Sequence, residues 1–262
     1  MIEEKIIKRT KINCLIQSVP KGLVLLSSWL VSKGYPYELQ QRYRAGGWLK
    51  SIGKGAMIKT GDSLVLRGAI ETLQTQAKSN IHPGGRTALG LSGLSHYLQI
   101  NSATIVDTLF VENKSTIPSW FLNNQWDRQI EIFSVSLFKE DESGLITYQD
   151  NGLTIKISNA ARSMMECLSL CPDRFPLAEA YEIMEGLVTL RPTQVQLLLE
   201  QCKSVKVKRL FLFFAERAGA PWFEYLNMEK IQLGSGVRSL VKKEEGVFVS
   251  KYQLVLPKEL AS

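Results

Sequence analysis

Between residues 37 and 45 the chain sets two glutamines and two arginines at spacings that a helix would gather. At about 100° per residue Tyr37, Gln41 and Arg44 fall on one face. Glu38, Gln40 and Arg42 lie on its flanks, while Leu39 and Tyr43 share the opposite face and should pack on Trp29 and Leu30. An arginine can bond both major-groove acceptors of guanine, and a glutamine can pair in the same two-point way with adenine. Tyr37, Gln40, Gln41, Arg42 and Arg44 are therefore the candidate base readers. Lys33 precedes them, Lys50 and Lys54 follow, and Lys5, Lys8, Arg9 and Lys11 lie nearer the start; these are the candidate phosphate contacts. The same stretch, taken alone, is equally an ordinary solvated helix face.

The distribution of charge separates the two readings. The 262-residue chain carries a net charge of +7. Residues 1–68 hold 12 Lys and Arg against 4 Asp and Glu, and the rest of the chain holds 20 against 21. A basic module beside a neutral body is the footprint of a domain that meets a polyanion, here double-stranded DNA.

The elements needed to carry these side chains follow in order. Ile6, Ile7, Leu15 and Ile16 predict a first helix over 4–18, ended by Pro20 and Gly22. Ser27 or Ser28 offers an N-cap to a short helix through Trp29, Leu30 and Val31. Lys33-Gly34-Tyr35-Pro36 reads as a turn, with Pro36 in the first turn of the helix Tyr37–Ala45. Gly46-Gly47 stops that helix. Residues 48–52 and 56–59 alternate apolar and polar around Gly53-Lys54-Gly55, a hairpin signal with a basic tip. Helix, helix, turn, helix, hairpin is the order of a winged helix-turn-helix. The expected architecture is α+β: a winged helix over 1–68, its boundary falling near 60–67, then a larger mixed domain over 69–262. In that domain helical patterns cover 62–77, a stretch from Thr87 through Leu98, 160–170, 177–187, 192–202 and 207–218. Strands are expected at 104–111, 130–138, 146–157 (as a hairpin around Asp150-Asn151-Gly152), 230–233 and 247–256.

The larger domain offers little for catalysis. No G-x-S-x-G, H-E-x-x-H or G-x-x-x-x-G-K-[ST] occurs. Asp107 followed by Glu112-Asn113-Lys114 resembles the carboxylates and lysine of a metal-dependent nuclease, although E-x-K triplets arise often by chance. Gly84-Gly85-Arg86-Thr87 ahead of a helix is either an anion site or a plain turn. Arg162 and Arg238 follow turns and suit a phosphate or a structural role. Cys14, Cys167, Cys171 and Cys202 form no C-x-x-C, and His82 and His96 are the only histidines, so free thiols are expected and no metal or cofactor. The aromatic run Phe211, Phe213, Phe214, Trp222, Phe223 and Tyr225 reads as core in preference to a partner groove. With 45% hydrophobic and 22% charged residues, no run long enough to span a membrane and acids beside Met1, a cytoplasmic protein is expected.

An ordered set of short blocks resembles a known family. They are Ser28-Trp29-Leu30, Leu39-Gln40-Gln41-Arg42-Tyr43, Gly47-Trp48-Leu49 and Ile52-Gly53-Lys54-Gly55-Ala56, then Gly84-Gly85-Arg86-Thr87-Ala88-Leu89 and Leu94-Ser95-His96-Tyr97-Leu98. Ser158-Asn159-Ala160-Ala161-Arg162, Gly219-Ala220-Pro221-Trp222 and residues 251–257 complete the set. The chain resembles the antitoxins of abortive-infection E (type IV toxin–antitoxin) systems. That resemblance implies an N-terminal winged helix that represses its own operon at promoter repeats. It also implies a C-terminal antitoxin domain that counters a co-encoded nucleotidyltransferase-type toxin without a stable complex. It supplies no catalytic residue. The alternatives are a DNA-targeted nuclease-like protein and a plain winged-helix repressor whose body senses a ligand or dimerises.

Overall fold

The computed structural model describes residues 11–94, 106–241 and 246–261. Lys5, Lys8, Arg9, His96 and the expected helix end at Leu98 lie outside them. The chain forms two compact units. The first takes the chain up to Ile81 together with Ser115–Gln129 and Thr147–Ile155; the second takes the remainder.

In the first unit, α1 (Lys11–Ser18), β1 (Leu25–Leu26), α2 (Ser27–Ser32), α3 (Tyr37–Ala45), β2 (Leu49–Gly53) and β3 (Ala56–Lys59) follow one another; the helices and the hairpin keep the expected order, and β1 is an addition to it. The strands form an antiparallel sheet in the order β1-β3-β2, with Leu25 opposite Met57 and Leu49 opposite Lys59. Leu15, Leu25, Leu30, Tyr43, Leu49 and Met57 close the core, with Trp29 and Leu39 packed on it. Leu26 caps α2 without a side-chain bond, so neither serine does so. Pro36 is the N-cap of α3, one place ahead of the helix.

α4 (Leu66–Thr75) belongs to this same unit, so the boundary expected at residue 68 falls inside a helix. Its side chains explain why. Thr72 Oγ1 donates to Val24 O (2.6 Å), and the Gln76 amide acts as a strand would, donating to Val24 O (2.9 Å) and accepting from Leu26 N (2.8 Å). These bonds satisfy the free edge of β1, which a two-residue strand cannot do alone.

The second unit holds a sheet of β4 (His82–Pro83), β5 (Val106–Val111) and β6 (Gln129–Ser134), and the helices α5 (Gly85–Leu91), α7 (Ala160–Leu170), α8 (Leu177–Gly186), α9 (Pro192–Gln201) and α10 (Val205–Arg217). The short α6 (Ser119–Asn123) lies in the first unit. β7 (Leu145–Asp150) and β8 (Leu153–Ser158) form the expected hairpin around Asn151-Gly152. The core is built on α10, where Phe211 and Phe214 are fully buried, with Trp222 beside Phe211; Tyr225, expected there, is 69% exposed. His82 and Pro83 pair with Phe110 and Leu109 as a short strand. Residues 230–233 form no strand; β9 (Arg238–Ser239), β10 (Gly246–Val249) and β11 (Leu254–Pro257) make the closing sheet, and α11 (Lys258–Ala261) follows.

Candidate nucleic-acid interface

Two helix ends set the direction of α3. Gly34, with φ of 83°, ends α2: its N–H donates to Val31 O (3.0 Å) and Tyr35 N donates to Leu30 O (2.9 Å). Gly47, with φ of 73°, ends α3 by the same pair of bonds, to Arg44 O (3.0 Å) from its own N–H and to Tyr43 O (2.9 Å) from Trp48 N. Both ends are Schellman motifs, whose left-handed residue is cheap only for glycine. The first turns the chain from α2 into α3, and the second turns it from α3 into the wing.

Tyr37, Gln41, Arg42 and Arg44 are all exposed along α3. Gln40 is not. It is 1% exposed, and its Nε2 donates to Ser27 O (3.0 Å) and Tyr35 O (2.8 Å). Gln40 is thus corrected from a base reader to a lock between α2 and α3. On the helical wheel it falls between Arg44 and Tyr43, and the Tyr35 carbonyl folds back over it. Tyr43 is buried beside Tyr35, with ring centroids 6.5 Å apart; burial first, then the neighbouring Tyr35, pushes its phenol up.

Of the expected phosphate contacts, Lys11, Lys33, Lys50 and Lys54 are exposed. Lys11 Nζ donates to Gly34 O (3.3 Å), and Lys33 Nζ lies 5.8 Å from the Trp29 ring centroid. Both therefore stand at the corner between α2 and α3. Lys50 is on β2, and Lys54 begins the two-residue turn Lys54-Gly55 at the wing tip.

One part of this surface was illegible in the sequence. Residues 115–129, assigned to the body, return to the first unit and brace the wing. Asn124 Nδ2 donates to Ile52 O (2.7 Å) and Trp120 O (2.7 Å). Trp120 is buried, packs edge-on against Phe121 and Trp126, and stands against Gly53. The signal available was three large aromatics within seven residues, Trp120-Phe121 and Trp126. A cavity of about 460 Å³ also opens beside α4, lined by Lys21, Ser63, Arg67, Arg128 and Asp150 among others. Its Arg67 is paired with Asp150 and lies over Tyr148, and its Asp127 accepts from Leu66 N (2.7 Å), so both carboxylates are bonded to the protein itself.

Of the other candidate residues, Gly85 and Arg162 meet at Glu166 inside the second unit, together with His82. Glu166, 2% exposed, accepts from Gly85 N (3.0 Å), Ser158 Oγ (2.9 Å) and Arg162 Nε (2.8 Å), and His82 Nε2 lies 3.0 Å from its Oε1. Arg162 Nη1 also donates to Asp141 O and Ser143 O, and Asn159 caps α7 through Arg162 N (2.9 Å). The anion at the start of α5 is thus an internal carboxylate, and Arg162 is structural. Burial alone would raise the Glu166 carboxyl, but the bonds and charges of His82 and Arg162 outweigh it and hold it below its ordinary 4.5. Glu112 accepts from Ser136 Oγ (2.6 Å), and among the described residues no three His, Cys, Asp or Glu are grouped to hold a metal. Cys14, Cys167, Cys171 and Cys202 are free thiols.

Comparison with known proteins bears on both units. Residues 8–100 match the model of the AbiEi antitoxin N-terminal domain, described as a transcriptional regulator. Residues 106–257 match that of the AbiEi antitoxin of type IV toxin–antitoxin systems, also described as a transcriptional regulator. The chain belongs to the AbiEi antitoxin family. No curated protein matches it. The crystal structure of the RV2827C protein from Mycobacterium tuberculosis shares the fold, with a TM-score of 0.57 and 14% identity over 93% of this AbiEi chain and 89% of that one. No helix among the described residues is long and apolar enough to cross a membrane. The blocks Gly84-Gly85-Arg86-Thr87 and Ser158-Asn159-Ala160-Ala161-Arg162 both supply partners to Glu166. In this AbiEi antitoxin those blocks build a core.

Proposed function

We propose that this AbiEi antitoxin represses its own operon by setting α3 into the major groove of promoter DNA and the β2–β3 wing against the adjoining backbone. The observation that carries the reading is the joint exposure of Gln41, Arg42 and Arg44 on α3 and of Lys50 and Lys54 on the wing, within the unit that holds the chain's excess positive charge. Tyr37, Gln41, Arg42 and Arg44 are its base readers; Lys11, Lys33, Lys50 and Lys54, with Lys5, Lys8 and Arg9, are its phosphate contacts. The protein works in the cytoplasm without a cofactor and is not an enzyme. It counters a co-encoded nucleotidyltransferase-type toxin without forming a stable complex, a role assigned to the second unit from the family's antitoxin character.

A gel-shift titration with a duplex carrying the upstream region of its own gene tests the DNA reading. Arg44→Ala should erase the preference for that duplex over unrelated DNA. Lys54→Ala should weaken binding to both and reduce the salt slope by about 0.9, the counterion release of one phosphate contact. No binding at low salt would refute the reading. Co-expression with the toxin-like neighbouring gene tests the other half: growth rescue by the full chain is expected, and its failure would remove the toxin assignment while leaving DNA binding intact.

A further inference from the structure

Besides the pairing of β3 with β1, the wing turn and its approach are held at three points, and only one of these lies within the winged helix. Gly55 O accepts from Ser27 N (2.8 Å), which ties the turn to the start of α2. Ile52 O accepts from Asn124 Nδ2 (2.7 Å) at the place where the β2–β3 register shifts, between Ser51 and Gly53. Gly53 itself stands so close to α6 that an added Cβ would lie 2.8 Å from Trp120 Cβ. Trp120 cannot recede, because it is 4% exposed and flanked by Phe121 and Trp126, whose Nε1 donates to Phe121 O (3.0 Å). The two residues of the turn, Lys54 and Gly55, follow directly.

We infer that Asn124 and Trp120 are positioning residues for DNA binding: they hold the wing turn so that Lys54 meets a backbone phosphate without first having to be ordered. The inference rests on the wing reading proposed above. β2 is an edge strand of the three-stranded sheet, paired with β3 alone, and the register shift between Ser51 and Gly53 loosens that ladder at the residue Asn124 holds. Fixing it beforehand removes an ordering cost that would otherwise be charged to binding. Neither residue touches DNA in this scheme. Their effect passes entirely through Lys54, and that makes it measurable.

The experiment is a double-mutant cycle on the full chain: wild type, Asn124→Ala, Lys54→Ala and the double variant, each titrated with the upstream duplex across a range of salt. Asn124→Ala is expected to weaken binding roughly 3- to 10-fold, the effect of losing about one fixing hydrogen bond, with the salt slope unchanged because Lys54 still reaches its phosphate. In the Lys54→Ala background the same substitution should do nothing. Equal losses in both backgrounds would overturn the inference, since Asn124 would then act on the stability of the unit and not through the wing tip. An unchanged affinity for Asn124→Ala beside a weakened Lys54→Ala would also overturn it, and would leave the DNA reading standing. A silent Lys54→Ala would take the wing out of the interface and overturn the parent reading with it. Trp120→Phe, which keeps the Cα and Cβ that stand against Gly53 but shrinks the ring that packs on Phe121 and Trp126, gives a second variant and should follow Asn124→Ala in both backgrounds.

Discussion

Replacing Glu166 by glutamine isolates the value of one buried charge. The carboxylate accepts from Gly85, Ser158 and Arg162 and lies against His82, all within the second unit. Glutamine keeps the shape but turns one acceptor oxygen into a donor and leaves the 6%-exposed Arg162 without its counter-charge. Breaking one partner of a buried pair costs about 3–5 kcal/mol; one oxygen survives, so the lower end, about 3 kcal/mol, is expected. For a unit of this size that corresponds to a fall in melting temperature of roughly 6–12 °C. The dependence on pH has a definite sign. The folded carboxyl lies below its ordinary value, so its contribution is complete above about pH 4.5, the ordinary value, and is lost as acid protonates the folded group. The gap between wild type and Glu166→Gln should therefore be constant from pH 5 upward and narrow below about pH 4. Labelling of the buried Cys167 thiol in graded urea reads this unit separately from the first. A gap under about 1 kcal/mol at pH 7, or one that does not close in acid, would refute the argument.

Gln40→Leu should destabilise the first unit by about 1–3 kcal/mol, because it strands the carbonyls of Ser27 and Tyr35, and it should weaken DNA binding without altering the salt slope; thermal unfolding and gel shift read the two effects. Gly68→Ala should prevent the first unit from folding, since the new Cβ would lie 2.0 Å from Gly22 O, whereas Gly34→Ala, with open space around it but a φ of 83°, should cost only about 1–2 kcal/mol by calorimetry. In native buffer a thiol reagent should modify the exposed Cys14 alone. Burial pushes Cys171 to about 12 and Cys202 to about 11, and Cys167 is raised well above its ordinary value, so a second fast-reacting thiol would contradict the packing.

What could be read in advance was local. The ends of α2 and α3 were legible because Gly34 and Gly47 announce a left-handed residue, and the β7–β8 hairpin because Asn151-Gly152 favours its turn. α7 was legible to the residue; its cap, Asn159, came only with the structure. What escaped was set by contacts distant in sequence. Helical spacing puts Gln40 beside Arg44, and nothing in that spacing tells of the Tyr35 carbonyl that buries it. A lone acid in Met164-Met165-Glu166-Cys167 hints at an internal ion pair, but His82 lies 84 residues away. The charge excess located the basic unit without its outline, because α4 and the braces at 115–129 are nearly neutral and bind through packing and amide bonds.

That outline bears on how the protein is made. A ribosome delivers α3 early, but Trp120 and Asn124 follow much later, and the last segment of the first unit ends at Ile155. A nascent chain halted after α4 would carry α3 with the β2–β3 hairpin unbraced. Folding of the unit is thus timed to the synthesis of more than half the polypeptide, and a prematurely terminated product would be a poor competitor for whatever site the finished protein occupies.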